Sequence, residues 1–273
     1  MDLFAVERQK YICDTLERDG SAAINDLAAA LDVSAETIRR DLLALEEQGR
    51  LSRIHGGAIR KIGVPEHKSL STRLDSRTKE KAELSEYACS FINNGDFIAI
   101  DCGSTAVKLA EAIAKRFSFL NVITNCLDVF NILRTNKGIK LVLIGGNFDE
   151  EENGFSGLNT IEMIKRYNVS KFFMFPSGIS LKFGITGYGE DICYVQKAFF
   201  EISDEIYVLA DSEKFEKRAF EKTAETDKSY TYITDSSLSD VIKQSFIDEG
   251  MKIVSCADDL KRSEIGAGGN KNE

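Results

Sequence analysis

The sequence predicts an α/β protein in two unequal parts: a small helical head closed by a β-hairpin, and a larger body with a parallel-rich sheet. Three observations predict it. Residues 4–48 carry three apolar stripes at helical spacing, followed by two short runs around a Gly-Gly pair. Residues 59–80 are polar, include Pro65 and hold little periodicity. From Lys81 onward, β-branched and aromatic runs alternate with helical patterns, as in strand–helix crossovers. The expected boundaries are a head at 1–58, a linker at 59–80, a body at 81–256 and a disordered tail at 257–273. The second half of the linker is also compatible with the body.

In the head, a first helix is expected from about Phe4 to Arg18, with Val6, Ile12, Cys13 and Leu16 on its apolar face and Gly20 ending it. A second, Ile24 to Leu31, sets Ile24, Leu27, Ala28 and Leu31 on one stripe. After an Asp32-Val33-Ser34 turn, Ser34 caps a third helix running to about Gln48, with Glu36 in its first turn. Ile38, Leu42 and Leu45 form its buried stripe and Gly49 its stop. RLSRIHGGAI then reads as strand, turn, strand.

In the body, strands are expected at 97–100, 121–124, 140–144, 171–175, 205–209 and 230–234. Helices are expected at 81–92, 106–116, 127–135, 157–168, 190–202 and 238–249.

A hydrophobic fraction of 43% argues against disorder. The formal net charge of −9 means that any contact with a polyanion must come from a local basic patch. Six scattered cysteines without a C-x-x-C pair read as buried thiols, and with two histidines they make a zinc site improbable. No metal or cofactor is expected. No apolar run approaches the ~20 residues of a membrane span, and the N-terminus lacks a signal-peptide core, so a cytoplasmic location is expected.

The third helix supplies the patch. With Ile38 at the centre of the buried face, Arg40 lies about 200° around it. Thr37, Arg39 and Asp41 are expected on the non-buried side as well. Ser34 and Thr37 stand near the end that would approach base edges, and Arg39 and Arg40 can reach phosphates or a guanine edge. Residues 48–65 add Arg50, Arg53, Arg60 and Lys61 with no acid. An ordinary helical hairpin with solvated arginines fits the same pattern, and His55 suits either a hydrogen bond within the wing or a phosphate contact.

The string VSAETIRRDLLALEEQGRLSRIHGGAI (33–59) closely resembles the N-terminal signature of the DeoR family of bacterial transcription regulators. There, a V-S-x-x-T-I-R-R-D-L helix precedes an L-x-R-x-H-G-G-A wing. The resemblance covers nearly the whole head and implies a winged helix-turn-helix. It also implies that Ser34, Thr37, Arg39 and Arg40 sit in or near the major groove, with Arg53 and His55 flanking them.

In the body, FIAI-DCGST-AVKLAEAIAK (97–116) reads as a strand, a small polar loop and a helix start. Such a loop either cradles a phosphate or merely caps the helix. The loops at 123–125, 144–146, 176–179, 184–189 and 208–215 end other strands, where open α/β sheets bind ligands. Lys214 is either a cation for that crevice or a surface lysine of the charged SEKFEKR run. This order resembles the DeoR C-terminal sensor domain through to about Thr234, with a fold similar to ribose-5-phosphate isomerase and glucosamine-6-phosphate deaminase. The resemblance implies a phosphorylated sugar as effector. It implies a phosphate loop of Asp101, Gly103, Ser104 and Thr105, a basic Lys214, and a lining of Asn125, Gly146 and Gly178. The sequence departs from the family pattern where D-x-x-F-x-G has become Ser170 to Phe175, and in the acidic stretch at 187–198. These departures are expected on the sugar side of the pocket, where Phe175 would narrow it.

The expected function is a DNA-binding transcription regulator. By resemblance it is a repressor of a sugar or carbohydrate catabolic operon, responsive to a phosphorylated sugar and not an enzyme. Two-fold DNA sites favour a homo-oligomer, a dimer or tetramer. The competing readings are a sugar-phosphate isomerase or deaminase with an accessory head, for which Ser170 removes the nearest candidate base, and a constitutive DNA binder whose pocket Phe175 blocks.

Overall fold

The computed structural model describes residues 3–61 and 67–255, so Cys256 and the tail lie outside the described residues. Contacts group the chain into two compact units, 1–64 with 239–250 and 65–238 with 251–273.

The first unit opens with α1 (Leu3–Asp19), β1 (Ser21–Ala23), α2 (Ile24–Leu31) and α3 (Ala35–Glu47), followed by β2 (Leu51–Ile54) and β3 (Gly57–Arg60). Ile38, Leu42 and Leu45 of α3 are buried with Ile12, Leu16, Leu27, Leu51 and Ala58 in one core. Val6, expected on that face of α1, is exposed. The hairpin β2–β3 turns at Gly56, whose φ of 77° suits glycine. The three-residue β1, too short to be read from its alternation, joins as the third antiparallel strand in the order β1-β3-β2.

The second unit begins inside the expected linker. Ser69 caps α4 (Leu70–Asp75), and α5 (Thr78–Ala88) follows with a 3-10 turn after it. Next come β4 (Phe97–Ile100), α6 (Ser104–Arg116), β5 (Leu120–Thr124), α7 (Leu127–Leu133), β6 (Ile139–Leu143) and the hairpin β7 (Asn147–Asp149) and β8 (Gly154–Ser156). The chain continues with α8 (Leu158–Ile164), β9 (Val169–Met174), β10 (Gly178–Ser180), β11 (Gly184–Gly187), α9 (Glu190–Glu201) and β12 (Ser203–Leu209). It ends with β13 (Glu221–Ala224), β14 (Thr231–Thr234), α10 (Asp240–Asp248), which groups with the first unit, and β15 (Lys252–Ser255).

The main sheet has seven strands in the order β15-β14-β12-β9-β4-β5-β6, and every neighbouring pair is parallel. Side chains alternate across it. Ile98, Ile100, Val122, Phe173 and Leu209 join the core formed with α5, α6 and α7, while Phe172 stacks on Phe199 of α9 at 5.1 Å. From β4 the chain adds β5 and β6 on one side; from β9 it adds β12, β14 and β15 on the other. The strand order therefore reverses between β4 and β9, where a parallel sheet opens a crevice beyond its carboxyl ends. A small antiparallel sheet, β10-β11-β13, lies apart from the main one. No helix among the described residues is long and apolar enough to cross a membrane.

Candidate functional site

In the first unit, Ser34 caps α3, accepting from the Thr37 N–H at 3.2 Å and meeting the Thr37 hydroxyl at 2.9 Å. Arg40 points outward with 80% of its side chain exposed, and Arg39 with 55%. Both reach Glu36, at 3.7 and 3.4 Å. Arg53 is fixed to α3: its backbone N–H and its Nε each donate to Glu46 at 2.8 Å. His55 Nε2 lies 3.3 Å from Asp248 Oδ2. Arg39, Arg53 and His55 line one open groove, which Ser34, Thr37 and Arg40 do not line. Asp41 corrects an expectation. It is buried, and it accepts from Arg8 of α1 through both oxygens and from Gln9 at 3.3 Å. That pairing locks α3 onto α1.

In the second unit, the switch point holds a cavity of about 160 Å³. Gly103, Ser104 and Thr105 form one wall. The first intrahelical bond of α6 runs from Val107 N–H to the Gly103 carbonyl, so the N–H groups before it have no acceptor within the helix. Gly103 has a φ of 143°, a conformation that strongly favours glycine. Lining the same cavity are Lys214 and Lys217 from the loop after β12, Arg73 from α4, Arg77 from the junction before α5, and Lys81 from α5. Phe175 is part of the wall and leaves the cavity open. His67 and Tyr188, also in the lining, stack at 4.6 Å.

These cations are not equivalent. Arg77 is ion-paired to Asp211 at 3.1 Å, Glu213 at 3.1 Å, Asp235 at 3.6 Å and Glu80 at 3.7 Å, and it donates to Ser212 at 2.8 Å. Lys81 donates to the carbonyls of Arg73 and Ser76. Burial brings its ammonium down to about 8. Burial also lowers Lys214 and raises Asp211, against the attraction between opposite charges there.

Asp101 and Asn125 line a separate, smaller cavity beside this one, with Cys102, Asp149, Glu152 and Gln196. Gln196 donates to Asp101 Oδ2 at 2.7 Å. Burial holds the Asp101 carboxyl well above the usual carboxylate range. The remaining expected residues fall elsewhere. A Cβ on Gly146 would meet Thr160 Oγ1 at 1.8 Å, and one on Gly178 would meet the Lys217 carbonyl at 2.6 Å. Both glycines thus allow close packing, and neither is in the lining of these two cavities. Ser170 is at the opposite end of β9, donating to the Phe97 carbonyl at 2.8 Å, so of the two departures in that stretch only Phe175 meets the pocket. Arg73, Arg77, Lys81, Lys217 and Gln196 were not among the expected site residues. The first two lay in the supposed linker, with no periodicity to mark them. No cluster among the described residues could hold a metal ion. Of the described cysteines, Cys89, Cys126 and Cys193 are buried thiols, while Cys13 and Cys102 are half-buried.

The two units define a helix-turn-helix protein with an α/β domain that gathers cations at a helix start. Comparison with known proteins agrees. The family model described as "DeoR-like helix-turn-helix domain" matches residues 8–61, and "DeoR C terminal sensor domain" matches residues 76–236. The "HTH-type transcriptional regulator IolR" of Bacillus subtilis (strain 168) is 30% identical, over 87% of this chain and 92% of its own. The "Lactose phosphotransferase system repressor" of Lactococcus lactis subsp. lactis is 35% identical, over 85% and 91%. The chain belongs to the DeoR family and is a helix-turn-helix transcription regulator, not an enzyme. A ribose 5-phosphate isomerase A from Methanocaldococcus jannaschii matches at a TM-score of 0.39 and 16% identity, over 51% of this chain and 55% of that one. The fold is defined by the strand order of the main sheet.

Proposed function

We propose that the chain represses a carbohydrate catabolic operon by binding operator DNA through α3 and the wing, and that a phosphorylated sugar modulates this binding. The observation that carries the effector reading is the switch-point cavity. The start of α6, with its backbone N–H groups, shares the lining of one cavity with Lys214, Lys217 and Arg73, an arrangement suited to a phosphate. Arg39, Arg40, Arg53 and His55 are the residues assigned to DNA, with Ser34 and Thr37 setting the entry of α3. Asp101, Gly103, Ser104, Thr105, Asn125 and Lys214 are assigned to the effector; Gly146 and Gly178 support the loops from behind. The names of relatives, repressors of sugar systems, support the operon class. The protein acts in the cytoplasm as a homo-oligomer, a dimer or tetramer, since two-fold operators pair with two-fold proteins.

Fluorescence anisotropy with DNA from the protein's own promoter, at two salt concentrations and with a panel of sugar phosphates, tests this. Salt-sensitive binding that one sugar phosphate shifts is expected. Binding indifferent to every sugar phosphate, with no thermal stabilisation by any of them, would leave the constitutive reading. Sedimentation of the full chain gives the oligomeric state.

A further inference from the structure

Two cysteines meet just past the ends of β4 and β5. Ile100 of β4 pairs with Thr124 of β5 in parallel register, so Cys102 and Cys126 stand at matching positions two residues further on. Neighbouring strands lie about 4.8 Å apart, inside the Cα separation of about 4.4–6.8 Å that a disulfide spans. Gly154 closes the space around both. It bridges Cys126, and a Cβ built on it would meet Cys102 Sγ at 2.3 Å and Cys126 Cα at 3.7 Å. The two thiols are hydrogen-bond partners, and neither is in a disulfide. We propose that Cys102 and Cys126 are an oxidative modification site, at which hydrogen peroxide closes an intramolecular disulfide that ties the loop opening α6 to the start of α7.

The chemistry favours this pair over the other described cysteines. The Cys102 S–H, and then the N–H groups of Val129 and Asp128 at the start of α7, hold the Cys126 thiol below its ordinary range against the effect of burial. The thiolate is the form that attacks peroxide. Burial instead pushes Cys89 up to about 12 and raises Cys13 and Cys193. Cys102 is half-buried, which gives a small oxidant access to the pair. In the first step a thiolate of the pair attacks one peroxide oxygen. An S–O bond forms, the O–O bond breaks, and hydroxide leaves, taking up the proton that the thiol gave up. The second thiol then attacks the oxidised sulfur. The S–S bond forms, the S–O bond breaks, and hydroxide leaves with the second thiol's proton. Two thiols thus lose two electrons to become one disulfide, and one peroxide is reduced to two waters. A dithiol reductant reopens the bond by exchange, as reversible sensing in a reducing compartment requires. Neither step involves a bound effector, so the pair stands apart from the effector reading.

The test uses the reduced full-length protein, exposed to about a tenfold molar excess of hydrogen peroxide and then quenched, unfolded and alkylated. Digestion with trypsin and Asp-N together places Cys89, Cys102 and Cys126 in separate peptides. Mass spectrometry is expected to find the peptides of Cys102 and Cys126 joined, two hydrogens lighter, in most chains. Cys193 should remain alkylated, and dithiothreitol should return both cysteines to free thiols. Recovery of Cys102 and Cys126 as free thiols after peroxide overturns the proposal. So does either one recovered as a sulfinic acid or joined to a different cysteine. Hydrogen exchange on the same samples reads the tether. Protection of the amides at 101–107 should rise at least about threefold on oxidation and fall back on reduction. Unchanged exchange there in the disulfide form overturns the link to the loop.

Discussion

The two units keep their arginines in opposite states. On α3, Arg39 and Arg40 stand largely in solvent and share a single acid, Glu36. Beside the cavity, Arg77 is mostly buried, surrounded by four carboxylates, two of which, Asp211 and Asp235, are 2% and 0% exposed. An exposed arginine gives up little when it meets a phosphate, and salt screens what it gains. A buried one is part of the framework, since it shares with Lys214, Lys81 and backbone N–H groups the task of compensating Asp211 and Asp235. Counting positive charge near a pocket therefore overstates what is available to a ligand. Lys217 is the freer cation there, while Lys214 shares Asp211 with Arg77, and Arg77 is a strut.

The largest effect should come from cutting the strut. Arg77→Ala removes the one guanidinium shared by Asp211 and Asp235 and should destabilise the full chain by about 3–5 kcal/mol in urea denaturation. A loss under about 1 kcal/mol would erase the contrast. On the other side, Arg40→Ala should weaken operator binding by about 1–3 kcal/mol and reduce the salt slope by about one. Its urea stability should stay within about 0.5 kcal/mol of wild type. If stability falls with affinity, Arg40 is also structural.

A third experiment uses Lys81. Its ammonium titrates near 8 in the free protein, and a bound dianion favours the charged form. Below that pH the lysine is protonated with or without ligand, and affinity is flat. Above it, binding must take up a proton, so affinity falls as pH rises through about 8, by at most a decade per unit. Sulfate, whose own charge is constant there, is the probe, and Lys81→Met should reduce the slope to what Lys214, also lowered by burial, contributes. The smallest effect is Glu36→Gln, which removes the one acid shared by Arg39 and Arg40. Operator affinity should rise about two- to threefold; a decrease would mean that Glu36 orients those arginines for DNA.

Much of this was legible in the residues. The α3 stripe and the DCGST loop carry their signal locally: apolar residues at helical spacing in one, small polar residues at a strand end in the other. Asp41 was misplaced by its chemistry, not by its position. Three residues past Ile38 it lies only about 60° from the buried centre, but a carboxylate there needs Arg8, thirty-three positions away. α4 escaped because a six-residue helix with one buried apolar side chain, Leu70, has no period to detect. β10, β11 and β15 are three or four residues long, too short for alternation to stand out. Ser170 and Phe175 were treated as one departure, yet at about 3.3 Å per residue they sit at opposite ends of a strand. Gly146 and Gly178 show that a small residue at a strand end can serve the packing behind a loop instead of its open face.

The groups assigned to grip phosphate at the start of α6 belong to the main chain. No side-chain replacement at 104 or 105 deletes an N–H unless it introduces proline, and the helix itself is anchored by Leu109, Ala110 and Ile113 deep in the core. Capture of the anion is thereby insulated from mutational drift. Positions 125 and 196 act through their side chains instead, so a replacement there alters the polar groups around the smaller cavity and leaves the main-chain groups of α6 in place. A lineage built on this scaffold can exchange one effector for another without first losing the handle common to them all.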